Sequence, residues 1–128
     1  MYEQDYIMRM NRDIIRTISR LVFNKDTELP LDITSQTLKS EDKKMLNSLQ
    51  GQVNLGKINE VEKEICRSVG NNESRALEKA LLFYAYLNEQ TDEFLLANSF
   101  TRERIQSGLQ YIASQLGVLD IVNLNYFE

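Results

Sequence analysis

The sequence predicts an all-α fold of about five helices in a single domain over residues 1–128. Two observations support this prediction. Long segments repeat apolar side chains every three or four positions, which is the period of an amphipathic helix. Only one proline and five glycines interrupt the 128 residues, so few positions break such helices. A chain of this length is the usual size of one domain with its own core.

The first helix is predicted over about residues 3–25. With successive side chains about 100° apart, its apolar side chains share one stripe: Ile7, Met10, Ile14, Ile18, Leu21 and Val22, widened by Met8 and Ile15. Its arginines share the opposite side: Arg9, Arg12, Arg16 and Arg20. The segment therefore predicts an amphipathic helix with a basic outer face.

A long connection and a second helix follow. The segment NKDTELPLDITSQTLKS has turn and capping residues but no helical period, which predicts a connection over about residues 26–40. Ser40 is placed to cap a helix over 41–55, which Gly56 ends in a left-handed conformation. The apolar stripe of this helix is Met45, Leu46, Leu49 and Val53.

The third helix has sequence signals at both ends. Asn59 is placed to cap it, and Glu62 stands where a carboxylate completes a capping box. Gly70 ends it. Its apolar stripe is Ile58, Val61, Ile65 and Val69. Residues 41–70 therefore predict an antiparallel helical hairpin.

The longest helix is predicted over residues 73–98. Its centre, KALLFYAYL at 79–87, is apolar almost all round, which predicts a helix surrounded by neighbours. Phe83, Tyr84 and Tyr86 are interpreted as core residues, since aromatic side chains at helical spacing usually supply buried area. A groove lined by one of the tyrosines is the alternative.

The last clear helix begins after Thr101, its predicted cap. Phe100 is placed to pack against Ile105 as a hydrophobic staple, and Gly117 ends the helix. The apolar stripe of this helix is Ile105, Leu109, Ile112 and Leu116. Residues 118–128 form an apolar tail. This tail is expected to dock on the body, as a short helix or as an extended segment.

Two resemblances extend these predictions. The stretch GKINEVEKEI resembles the middle of a tetratricopeptide repeat, which implies that the N-terminal helix and two hairpins form a tetratricopeptide-like stack. The segments QDYIMRMNRDI, GKINEVEKEI and FYAYLNEQTDEFL together resemble an uncharacterised family of short bacterial all-helical proteins, a domain of unknown function. That resemblance implies a fold and supplies no catalytic residue.

The composition argues against several classes of function. A net charge of −4 argues against general nucleic-acid binding, which needs a broad basic surface. The chain has no histidine, and so lacks the commonest general base and metal ligand. It also lacks a glycine-rich phosphate loop. We therefore expect no enzymatic activity, no cofactor, no metal and no small-molecule substrate.

Isolated groups with reactive chemistry have simpler interpretations. Glu60, Glu62 and Glu64 alternate along one helix and are expected to be solvated surface carboxylates. Cys66, the single cysteine, is expected to be a half-buried packing residue rather than a reactive thiol. A lone thiol fits a reducing compartment, and no signal peptide or membrane-spanning run is apparent. The expected location is the cytoplasm.

The arginine stripe is the candidate functional surface, and three interpretations stay open. Residues 1–25 carry a net charge of +2. Because the whole chain carries −4, residues 26–128 carry −6. The stripe can be a solubility face partly paired with acidic residues of the domain. It can contact an acidic protein partner or a second copy of the chain. It can also lie on an anionic membrane surface, although using it there exposes the apolar stripe. The leading hypothesis is a non-enzymatic scaffold or protein-interaction module, and peripheral membrane association is the alternative.

Overall fold

A computed structural model of the protein describes residues 2–23 and 40–120. In these ranges it contains helices and no strands, which confirms the all-α prediction. The helices are α1 Tyr2–Phe23, α2 Ser40–Asn54, α3 Ile58–Gly70, α4 Ala76–Asn88, α5 Asp92–Ala97 and α6 Arg102–Gln115. Residues 26–39 of the predicted 26–40 connection and most of the predicted C-terminal tail lie outside the described residues, whereas Ser40 is the first residue of α2. Val118 and Leu119, which begin that tail, pack against the core.

Helix α4 lies at the centre of the fold. It packs against α1, α2, α3 and α6, as expected for a helix that is apolar on nearly every side. Its fully buried side chains include Leu81, Leu82, Phe83, Tyr84 and Leu87. The interpretation of Phe83 and Tyr84 as core residues is therefore confirmed.

The surrounding helices turn their predicted stripes towards α4. The buried residues are Ile14, Ile15 and Ile18 of α1, Leu46, Leu49 and Val53 of α2, Ile58, Val61, Ile65 and Val69 of α3, and Ile105, Leu109 and Ile112 of α6. Leu21 is an exception, with 44% of its surface exposed. It lies in the last turn of α1, at the edge of the stripe that adjoins the basic side.

The predicted long helix over 73–98 is wrong, because the chain turns between α4 and α5. The hydroxyl of Thr91 accepts a hydrogen bond from the backbone N–H of Phe94 at 3.1 Å and so starts a new helix. The apolar period continues across this break, which is why the sequence pattern alone predicted one helix. Because α4 and α5 replace the single predicted helix, the described residues contain six helices.

The predicted capping box of α3 is also wrong. The helix begins at Ile58, so Asn59 lies inside it, and Lys57 at the N-cap position makes no side-chain cap. Glu62 is turned instead towards α4 and α6. By contrast, Thr101 caps α6 as predicted, with its hydroxyl accepting from the N–H of Arg104 at 3.1 Å.

Glycines follow two of the helices in the left-handed conformation that was predicted for Gly56. Gly56 has φ +78° after α2, and Gly117 has φ +75° after α6. These values lie in the left-handed region, where a side chain is strained. The tetratricopeptide-like stacking stays a prediction. In a stack of helical repeats, each unit contacts only its neighbours. In this fold, α1 packs on both α6 and the central α4.

Candidate functional site

The solvent side of α1 carries the residues that the sequence singled out. We call the outer face the set Tyr6, Arg9, Asp13, Arg16 and Arg20, all of which are exposed. At about 100° per residue they fall within a sector of about 80°. Tyr6, which the sequence analysis overlooked, is 65% exposed. The outer face therefore combines a net charge of +2 with an accessible aromatic ring.

The cations of the outer face have few ion-pair partners among the described residues. Arg16 Nη1 lies 3.9 Å from Asp13 Oδ1, which is a weak pair one turn away on the same helix. Arg9 and Arg20 form no ion pair with a described residue. Their guanidinium groups are therefore available to carboxylates from outside the chain.

Arg12, the fourth predicted arginine, lies at the edge of this face and is engaged inside the chain. Its Nε and Nη2 donate to the two carboxylate oxygens of Glu89 at 2.7 and 2.6 Å. This bidentate hydrogen bond to Glu89 raises the pKa of Arg12 above its ordinary value. The pair fastens α1 to the segment that follows α4. Of the four arginines, Arg12 is thus the one with a strong internal partner.

A buried amide pair on the opposite side of α1 fixes how the helix is rotated. Asn11 is fully buried, and its Nδ2 donates to Asn88 Oδ1 and to the Arg102 carbonyl, each at 3.1 Å. Asn88 in turn donates to the Met8 carbonyl at 2.8 Å. Rotating α1 would leave these buried amides unpaired, at a cost of about 1–3 kcal/mol each. The network therefore holds the outer face towards solvent.

Arg102 extends this network to the break between α4 and α5. It is 3% exposed, and its guanidinium donates to the carbonyls of Asn88 and Gln90 and to the carboxylate of Asp92. It also donates to the Gln4 side-chain oxygen at 3.2 Å. These partners occupy most of the five N–H donors of an arginine. Arg102 is thus a structural cation rather than an open anion site.

Sequence reasoning missed both parts of this network. Asn11 left a signal, since it is a polar residue set within the apolar stripe between Ile7 and Ile14. Arg102 left none, because an arginine in the first turn of a helix is ordinarily exposed.

A second polar junction joins α3, α4 and α6. Tyr84 Oη donates to Glu62 Oε2 at 2.9 Å, and Glu62 Oε1 pairs with Arg104 Nη2 at 2.5 Å. The Arg104 guanidinium lies 4.5 Å from the ring centre of Phe100. Burial, and next the Glu62 charge, raise the pKa of Tyr84 well above its usual range.

The same junction corrects one expectation about the α3 carboxylates. The Glu62 side chain is only 13% exposed, so its interpretation as a solvated carboxylate is wrong. Glu60 and Glu64 are exposed as expected. Glu62 differs because Tyr84 and Arg104, neither of them near it in sequence, both direct hydrogen bonds to it.

Cys66 lies against this junction and has the partly buried position predicted for it. Its Sγ is 3.8 Å from Tyr84 Oη. Burial raises the pKa of the thiol, whereas a nucleophilic cysteine needs a lowered one. The site therefore disfavours the reactive thiolate.

Two concave regions among the described residues differ in size and lining. A cleft of about 180 Å³ lies beside Leu95 and Phe100, below the roughly 300–1,000 Å³ of typical ligand pockets. An open depression of about 390 Å³ is lined mainly by lysine and glutamate side chains of α3 and α4 and their flanks. Within residues 2–23 and 40–120 no group of three or more histidine, cysteine or acidic side chains could hold a metal ion. None of the helices described there is long and apolar enough to cross a membrane.

Comparison with known protein families gives a match over residues 1–117 to a family of unknown function, DUF6483. The match confirms the resemblance to an uncharacterised all-helical family. Comparisons with curated proteins and with solved structures give no match.

Proposed function

We propose that this chain, which belongs to the DUF6483 family of unknown function, is a non-enzymatic protein-interaction module that binds its partner through the outer face of α1. One observation carries the proposal. Arg9 and Arg20 are exposed and form no ion pair with a described residue, and the exposed Tyr6 lies on the same face. Arginine and tyrosine are enriched in protein interfaces and among their strongest contacts.

The charge of the outer face indicates the chemistry of the partner. Guanidinium groups bind carboxylates through paired hydrogen bonds, and the face carries +2 on a chain whose net charge is −4. The partner surface therefore presents carboxylates to these arginines. Such complementarity mainly raises the association rate and the specificity.

The way in which α1 packs against the core suits a preformed binding surface. Ile14, Ile15 and Ile18 bury the apolar stripe, and Asn11 fixes the rotation of the helix. A surface held in this way loses little conformational freedom on binding, which lowers the entropic cost of association.

Two features of the described residues support a non-enzymatic role. The pKa values of Cys66 and Tyr84 are both raised by burial, so neither group is activated as a nucleophile or base near neutral pH. The buried Arg102 is occupied by protein acceptors. The single thiol also suits a reducing compartment, and we place the module in the cytoplasm.

The test is affinity capture with tagged wild-type protein and with an Arg9→Glu, Arg20→Glu variant. Arg12 is left unchanged because it holds Glu89. A Lys43→Glu, Lys44→Glu variant is the matched control, since both lysines are exposed on α2 and the charge changes equally. A captured partner is then purified, and its binding to each variant is measured by titration calorimetry.

We expect the arginine variant alone to lose the partner, with its thermal midpoint close to that of the wild type. Retention of every partner by this variant would refute the proposal. Loss of folding would instead favour the structural interpretation of the stripe.

The membrane alternative is tested with the same variants. Membrane insertion would require Ile14, Ile15 and Ile18 to leave the core in which they are buried, which leaves electrostatic adsorption as the milder route. Sedimentation with vesicles containing anionic phospholipid at low salt, where attraction is strongest, measures it. Adsorption that the arginine variant alone loses would favour the membrane over a protein partner.

A further inference from the structure

We propose that the partner of the outer face is a second copy of this chain, docked by an antiparallel contact between the two α1 helices across a two-fold axis. This inference rests on the proposed function, since it uses the same surface. A two-fold contact requires a surface that is complementary to itself. The order of side chains along the outer face has this property.

The self-complementarity is centred on position 11. When two copies of α1 run antiparallel with position 11 at the axis, Arg9 of each copy faces Asp13 of the other. In the same register Tyr6 of each copy faces Arg16 of the other. Symmetry makes each contact occur twice. All four side chains lie on the exposed side of α1, so they can meet without any rearrangement of the core.

Each of these contacts is chemically favourable. Arg9 forms no ion pair with a described residue, and the Asp13 side chain is 54% exposed, so an arginine–carboxylate pair can form. The Tyr6 ring is 65% exposed and the Arg16 side chain 44% exposed. A guanidinium over an aromatic ring is attracted by the negative face of the ring.

Neighbouring registers are disfavoured by charge. An axis at position 13 places Asp13 against its own copy. An axis between positions 12 and 13 places Arg9 against Arg16, and one between 14 and 15 places Arg9 against Arg20. Like charges placed opposite each other select against these alternatives. Among these registers, only the one centred on position 11 pairs Arg9 with Asp13 without placing like charges of the outer face opposite each other.

The expected dimer is weak and sensitive to salt. The stretch from Tyr6 to Arg16 spans about 15 Å of helix at 1.5 Å per residue. One helix face of this length buries less than the roughly 1,200–2,000 Å² of a stable interface. Because the contacts are exposed and charged, screening weakens them at high ionic strength.

The experiment is sedimentation velocity of the whole chain over a range of concentrations, at low and high salt. The wild type is expected to self-associate at low salt and to dissociate at high salt. Arg9→Asp and Asp13→Arg, each alone, place like charges opposite each other twice. Each should raise the dissociation constant by about tenfold or more, on the scale of exposed ion pairs.

The decisive sample is an equimolar mixture of these two variants. Position 9 of each copy then faces an opposite charge at position 13 of the other, so both ion pairs return, one with its native polarity and one with the polarity reversed. The mixture should associate at least as well as the wild type, although neither variant does so alone. The double variant Arg9→Asp, Asp13→Arg should also self-associate.

A second perturbation leaves all charges in place. Tyr6→Ala should weaken the dimer without removing an ion pair, while circular dichroism verifies that the helices are retained. A wild type that stays monomeric at every concentration in low salt, or a mixture no more associated than its components, would overturn the dimer. If capture of another protein still depends on Arg9 and Arg20, the proposed function survives that result.

Discussion

Replacing Gly108 by alanine is expected to destabilise the fold, even though alanine is the better helix former. A Cβ at this position would lie 2.1 Å from Oη and 2.3 Å from Cζ of Tyr84, whereas carbon contacts are comfortable at about 3.5–4.0 Å. Tyr84 has little room to yield, because it is fully buried and its hydroxyl donates to Glu62. Helices α4 and α6 must therefore separate, or the hydroxyl must leave its partner.

The size of the loss follows from these contacts. Overpacking a core costs about 1–3 kcal/mol, and losing a hydrogen bond to a charged group costs about 1.5–3 kcal/mol. The higher helix propensity of alanine offsets about 1 kcal/mol of this loss of stability. If the clash and the lost bond both occur in part, the free energy of unfolding falls by roughly 2–3 kcal/mol. That corresponds to a thermal midpoint lower by about 10 °C.

Urea denaturation followed by circular dichroism measures the loss, and Gly51→Ala provides the matched control. Gly51 also lies in a helix, but an added Cβ there meets nothing within 4 Å. This control should gain about 0.5–1 kcal/mol from propensity. In a Tyr84→Leu background the clash disappears, so Gly108→Ala should become neutral or stabilising. A gain at Gly108 equal to that at Gly51 in the wild-type background would refute the reasoning.

The polar contacts give further predictions. Arg102→Met should lower the free energy of unfolding by about 3 kcal/mol, because buried carbonyls lose their donor. Arg12→Met, which removes a half-exposed pair with Glu89, should cost less than about 1 kcal/mol. Equal losses in urea denaturation would contradict this ranking. The double variant Arg12→Glu, Glu89→Arg should recover most of what Arg12→Glu alone loses in the same assay, and no recovery would show that the pair is not coupled. Stability should also fall as the pH rises above about 9, because Cys66 and Tyr84 keep their protons in the folded chain while the unfolded groups ionise near 9.0 and 10.0. Urea denaturation between pH 8 and 11 checks this, and a Cys66→Ala, Tyr84→Phe variant should give a flatter profile than the wild type.

The helices and their buried sides could largely be predicted from the sequence. The α3 stripe of Ile58, Val61, Ile65 and Val69 is buried at every position. Thr101 caps α6 as its side chain predicts. These features depend on residues a few positions apart, where the helical repeat fixes which side chains lie together.

The candidate site was predictable only in outline. The helical repeat placed Arg9, Arg16 and Arg20 on one exposed face, as the structure shows. It could not identify Glu89 as the partner of Arg12, because the two residues are 77 positions apart in the chain. It also passed over Tyr6, since an exposed aromatic ring is recognised only when the neighbouring helices are seen to leave it uncovered.

The sequence by itself determined that the chain is helical and which side of most helices is buried. Only the tertiary structure decided which individual polar residues are buried. Asn11 and Arg102 are buried, and Glu62 is nearly so, because each meets hydrogen-bond partners on other helices. A polar side chain can leave water when such partners replace it. Which partners meet depends on how distant helices pack, and the local order of residues does not specify that.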